Sequence, residues 1–179
     1  MLRMEILLTE EQIGQKVDEL ANAISAAYGE RSLHVVALLD NGFMFAADLV
    51  RRLTCPVLCS FVRVEMRDVV QDGHERRLIE YSPRLNVAGQ DVLVVDSVLQ
   101  TGVTQDHLIQ QFYANGASSV RTAVLVDRAD ERRTALEPDF AGFRLEGRFL
   151  VGYGMGQGNR FRHLPHVAAM TPERSSQAV

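Results

Sequence analysis

The chain has little cysteine, no excess of basic residues and no long apolar run, and each shortage excludes a class of function. Cys55 and Cys59 are the only cysteines, and their C-x-x-x-C spacing is too sparse for a zinc site without further ligands nearby. Both sit in or beside an expected strand, so the reading is buried free thiols in a reducing cytoplasm. The 19 Lys and Arg against 23 Asp and Glu leave a net charge of −4, which argues against a general nucleic-acid binder. No apolar run reaches membrane-spanning length, and Met1-Leu2-Arg3-Met4-Glu5 does not read as a signal peptide; a membrane is therefore not an expected partner. Internal repeats, low-complexity tracts and linkers are also missing, and His107, His163 and His166 lack metal-ligand spacing.

What remains is an ordinary globular composition, 46% hydrophobic and 23% charged over 179 residues, enough for one domain with a substantial core. The chain is organised around Gly89 to Thr104. Val92 to Val95 is an apolar, mostly β-branched run, the pattern of a strand buried on both faces. It stops at Asp96, and the polar turn Gln100-Thr101-Gly102-Val103-Thr104 leads into a helical pattern with Leu108, Ile109 and Phe112. Such a turn aims free backbone N–H groups and two hydroxyls at one point, an anion site that most often takes phosphate. The plainer alternative is a βα turn capped by Thr101 or Thr104.

Elsewhere, Thr9-Glu10-Glu11-Gln12 forms a capping box ahead of Ile13, Val17, Leu20 and Ile24 at helical spacing, with Gly29 at the end. Leu33 to Leu39 reads as a parallel strand, Asp40-Asn41-Gly42 as a tight turn, Phe43 to Leu53 as a helix and Pro56 to Val64 as the next strand. Met66 to Tyr81 is polar and is either a mobile lid or two edge strands; His74, Arg76 and Arg77 read as a solvated loop. Val120 to Val126 and Phe149 to Tyr153 are further strands, separated by the charged segment Asp127 to Arg133. Gly152 to Gly158 lacks the helix-opening pattern of a dinucleotide site. Alternating strands and helices imply an α/β fold, a mostly parallel sheet flanked by helices, with ligands beyond the carboxyl ends of the strands.

Four segments in order resemble the hypoxanthine-guanine phosphoribosyltransferases: Val35 to Leu39 with Gly42 to Leu49, Val92 to Thr104, Phe149 to Gly154, and Arg162 to Pro165. The resemblance implies a type I phosphoribosyltransferase core in a single domain, with a small hood from about residues 1–10 and 150–172, and a homodimer or homotetramer. It also implies a cis Leu39–Asp40 peptide. The family moves a phosphoribosyl group from phosphoribosyl pyrophosphate (PRPP) to N9 of a 6-oxopurine with Mg²⁺. Carried over residue by residue, it places Asp96, Gln100 and Arg128 at catalytic positions and Asp96 at the metal. Ser97, Thr101, Gly102, Val103, Thr104, Asp40, Asn41, Gly42, Arg67, Phe149, Leu150 and Arg162 fall at substrate-binding positions.

Several chemical groups depart from that pattern. The acidic pair is Asp96-Ser97, and the purine-N7 Asp is Gln100, which accepts a hydrogen bond but takes no proton. The O6-reading Lys is Arg128, whose planar fork is not interchangeable with an ammonium. A metal Asp is Gly156, the lid's Ser-Tyr is Met66-Arg67, and Asp40 brings negative charge to the pyrophosphate turn. Asp40 or Asp127 would be candidates for a displaced carboxylate. Local alternatives stand beside these roles: Asp96 as a cap, Arg128 in a salt bridge with Asp127 or Asp130, Phe149 in the core and Arg162 at the surface. The expected activity is weak purine salvage. The alternative is a non-catalytic homologue that binds nucleotide, phosphate or a partner protein as sensor or scaffold.

Overall fold

Two apolar runs, Leu33–Leu39 (β2) and Asp91–Leu99 (β5), lie side by side at the centre of a six-stranded sheet. The computed structural model describes residues 2–71 and 74–172, with side chains described over 4–65 and 79–170. The sheet order is β4-β3-β2-β5-β6-β7, with β3 Val57–Gln71, β4 His74–Ser82, β6 Ser119–Asp127 and β7 Phe140–Arg144. All neighbours are parallel except the β3–β4 hairpin. Both faces are covered, which explains the continuous apolar runs of the central strands. Helices α1 (Glu10–Tyr28) and α2 (Phe43–Val50) pack on the face of Val35, Leu93 and Val95, and α3 (Val103–Ala114) packs Leu108 and Phe112 on the face of Val36 and Val94. The expected mostly parallel sheet with flanking helices is the observed architecture.

A second sheet joins the chain ends. Strand β9 (Val167–Pro172) runs antiparallel between β1 (Leu2–Leu8) and β8 (Phe149–Val151), and Leu8, Leu150 and Val167 reach into the main core. The capping box forms: Thr9 accepts from Gln12 N, Gln12 reaches back to Thr9 N at 2.9 Å, and Gly29 closes α1. The Leu39–Asp40 peptide is cis, and so is Ser82–Pro83.

Three local expectations change. Of the two alternatives for Met66 to Tyr81 the pair of strands is realised and the lid is not: β3 continues to Gln71 and pairs with β4 from Arg63↔Ser82 to Gln71↔His74, so His74, Arg76 and Arg77 are strand residues and not a solvated loop. Cys59 is exposed, while Cys55 is buried and both are free. Pairing with β4 begins only at Arg63, which leaves Val57, Leu58 and Phe61 at 36%, 51% and 44% exposure beside Cys59. The α2 helix ends at Val50 instead of Leu53.

The chain leaves β2 for β3 on one side and reaches β6 from β5 on the other, so the sheet order reverses between β2 and β5. A crevice at the carboxyl ends of such a strand pair is where open α/β sheets bind ligands.

Candidate active site

The turn after β5 meets that crevice. Helix α3 begins at Val103 with Gly102 as N-cap, and no side chain caps it. Thr101 Oγ1 accepts from Val103 N at 3.4 Å, so the Thr101 hydroxyl caps the first helical amide, while Thr104 caps nothing. The first-turn amides of a helix have no intrahelical acceptor, and those of Thr104 and Gln105 remain donors for an anion. Gly102 has φ 78°, and a Cβ there would run into Thr134 Oγ1 and Arg132 Cδ. Glycine therefore lets the loop after β6 lie on the turn, where Arg133 N also donates to Thr101 O at 2.9 Å. Thr101, Val103 and Thr104 are half-buried.

Asp96 and Ser97 stand behind the turn. Asp96 is 7% exposed; its Oδ1 accepts from Ser97 N at 2.7 Å and its Oδ2 from Gln105 Nε2 at 2.8 Å. Burial pushes the Asp96 carboxyl up to about 7, against the opposing pull of those hydrogen bonds. Ser97 is fully buried on the opposite face and donates to Asn41 O at 2.8 Å. Strand β5 thus braces the α3 turn with one residue and the 40–42 turn with the next. Gly42 packs against the Asp96 backbone.

The 40–42 turn is held from two other sides. Asp40 pairs with Arg63 at 2.8 Å, so its charge is partly neutralised. Arg162 Nη1 donates to Asn41 Oδ1 at 2.5 Å and to Gly154 O at 2.6 Å. Gly156 lies directly under Arg162: a Cβ at 156 would meet Arg160 O at 2.6 Å and Arg162 Cγ at 2.8 Å. The guanidinium and its stem fill the space a side chain at 156 would need. Among the described residues no group of three or more His, Cys, Asp or Glu is placed to hold a metal ion. With Asp96 buried and position 156 filled, the residues present do not fit a protein-held Mg²⁺.

On the other side of the turn, Gln100 and Arg128 converge on a residue the sequence reading did not single out. Gln100 Nε2 donates to Glu131 Oε2, and Arg128 Nη2 donates to Glu131 Oε1. Arg128 is buried, lies 4.0 Å from Asp130, and does not pair with Asp127, which is taken by Arg132. Asp40 and Asp127, the two candidates for a displaced carboxylate, are therefore both ion-paired. The i,i+3 spacing of Arg128 and Glu131 was the one signal available; the separation of 31 positions between Gln100 and Glu131 hid the rest. Gly147 N donates to Asp130 Oδ2 at 3.0 Å and Leu145 N to Asp127 O at 3.2 Å, which carries the chain past this cluster to Phe149. Phe149 is 49% exposed, whereas the Leu150 side chain is in the core and offers only its backbone. Arg67 lies on β3 opposite Leu78, and its side chain is outside the described residues.

Comparison with known proteins agrees with this geometry. The family description "Phosphoribosyl transferase domain" matches residues 4–157. A hypoxanthine-guanine phosphoribosyltransferase of Aquifex aeolicus is 33% identical over 166 residues, 92% of this chain and 93% of its own. One from Bacillus subtilis is 26% identical over 170 residues, 94% of this chain and 93% of its own. The crystal structure of a hypoxanthine-guanine phosphoribosyltransferase from Bacillus anthracis superposes with a TM-score of 0.82 at 29% identity, covering 93% of this chain and 98% of the other.

Proposed function

The chain belongs to the hypoxanthine-guanine phosphoribosyltransferase family, and on that premise we propose that it salvages 6-oxopurines, transferring phosphoribose from PRPP to N9 and releasing pyrophosphate at a low rate. The observation that carries this reading is the start of α3 behind Gly102, with the Thr104 and Gln105 amides open, at the switch point of the sheet. Amides of Thr101 to Thr104 hold the 5′-phosphate, Asn41, Gly42 and Arg162 meet the pyrophosphate, and Phe149 with the Leu150 backbone meets the base. Arg128 donates to O6. Asp96 and Ser97 act from behind, by bracing the two turns.

Members of this family use Mg²⁺ with PRPP. Here the donor set leaves such an ion to the oxygens of the substrate itself, so ligand binding depends little on the metal. The low rate follows from the charges that are missing. A proton-transfer or electrostatic group contributes 10²–10⁴-fold to a rate, about 3–5 kcal/mol, and Gln100, Ser97 and Gly156 each stand where such a group is expected. The exposed apolar residues of β3, Val57, Leu58 and Phe61, support a homodimer or homotetramer. No helix of the described residues is long and apolar enough to cross a membrane.

Calorimetric titration with GMP, IMP and PRPP, with and without Mg²⁺, beside transfer of radiolabelled hypoxanthine, tests the reading. Binding of all three with slow formation of labelled IMP is the expected result. Nucleotide binding without transfer would instead favour a non-catalytic nucleotide sensor, the reading that the filled position at Gly156 supports. Absence of binding would overturn both.

A further inference from the structure

We propose that Glu131 is the proton acceptor of this site, supplying from the loop after β6 the carboxylate that the phosphate turn lacks at Gln100. The inference rests on the transfer reading above and adds a residue to it. Gln100 and Arg128 stand at the two positions that face the N7 and O6 edge of the base in that reading. Those two atoms are neighbours on one edge of a purine, so the side chains that read them must converge. They do converge, and the group found between them is the Glu131 carboxylate, one oxygen on each partner.

Three features suit it to proton transfer. A Gln amide cannot take a proton, whereas a carboxylate can. Gln100 Nε2 and Arg128 Nη2 fix both oxygens, so the acceptor is held in place by the residues that flank the base, as proton transfer requires. The Glu131 side chain is 37% exposed, so a ligand reaches the carboxylate. Other charges close to the cluster are the Asp130 carboxylate and the Asp127–Arg132 pair.

The step balances without a further reagent. As the purine N9 lone pair forms the bond to C1′, the C1′–O bond breaks and its electron pair leaves with pyrophosphate. The N7 proton of the purine passes to Glu131, which releases it to solvent after the product departs.

An exchange of the two side chains tests this. Transfer of labelled hypoxanthine is followed for the wild-type protein, Glu131→Gln, and the double variant Gln100→Asp with Glu131→Gln, and PRPP binding is measured for each by calorimetry. Glu131→Gln is expected to lower kcat about 100-fold with PRPP affinity within about threefold. The double variant returns the carboxylate to position 100 and is expected to recover at least about tenfold of that loss. A wild-type protein that transfers, with Glu131→Gln within about threefold of it, would overturn the role of Glu131 and leave the transfer reading standing. A wild-type protein that binds PRPP and transfers nothing would overturn the transfer reading, and the Glu131 role with it.

Discussion

Burial holds the Asp96 carboxyl up to about 7, above the ~3.9 of an aspartate in an unfolded chain. The native state therefore binds this proton more tightly than the unfolded state. The stability it contributes is fully present below about pH 4 and is lost as pH rises through about 7. Asp96→Asn removes the titration, so the melting temperature of the wild type should fall relative to that of D96N between about pH 5 and pH 8. A constant gap between the two melting curves would contradict the assignment. Arg162 offers a second residue-scale test. Its guanidinium donates to Asn41 Oδ1 in the 40–42 turn, and a hydrogen bond to a charged group contributes about 1.5–3 kcal/mol. Arg162→Ala should weaken pyrophosphate binding by about 10- to 100-fold, as read by calorimetry, and unchanged affinity would remove Arg162 from the site. Chemistry at this scale was only partly legible in the sequence. Asp96, Gln100 and Arg128 stood out by position, but the partners that decide what they do, Gln105 and Glu131, are set by tertiary packing.

At the scale of elements, the α3 turn works because Gly102 combines a left-handed backbone with a close approach of Thr134 and Arg132. Gly102→Ala adds about 1 kcal/mol of backbone strain and a collision with the loop after β6. The variant should lose both stability and affinity for GMP, seen as a lower melting temperature and a weaker calorimetric signal. The helix at the start of the chain gives a cleaner stability measurement, since it carries no ligand contact. Thr9→Ala removes the capping box and should cost about 1 kcal/mol, or roughly 2–4 °C in a chain of this size. Elements buried on both faces (β2, β5, β6) and the capped α1 were readable because burial and capping leave local patterns. Strands β1, β7 and β9 were not, since they are held by pairing with other segments of the chain. The β3–β4 hairpin was ambiguous for the same reason: its register depends on the partner strand and not on alternation.

The whole molecule joins a family scaffold to an altered set of charges. The strand order that creates the crevice, the three-stranded sheet of the chain ends and the turns at 40–42 and 100–104 are all present, while the carboxylates that would hold a metal are engaged or replaced. Affinity for PRPP should consequently change by less than about tenfold on removal of Mg²⁺ with EDTA, measured by calorimetry at fixed ionic strength. A larger loss would show that the chain does hold the ion, against the donor geometry around Asp96 and Gly156. The central claim, however, is the phosphate site on α3, and a crystal structure of the protein with GMP tests it most directly. The 5′-phosphate is expected within hydrogen-bonding distance of the amides of Thr101 to Thr104. A nucleotide seated with its phosphate elsewhere, or a 100–104 turn that makes no contact with it, would contradict the account.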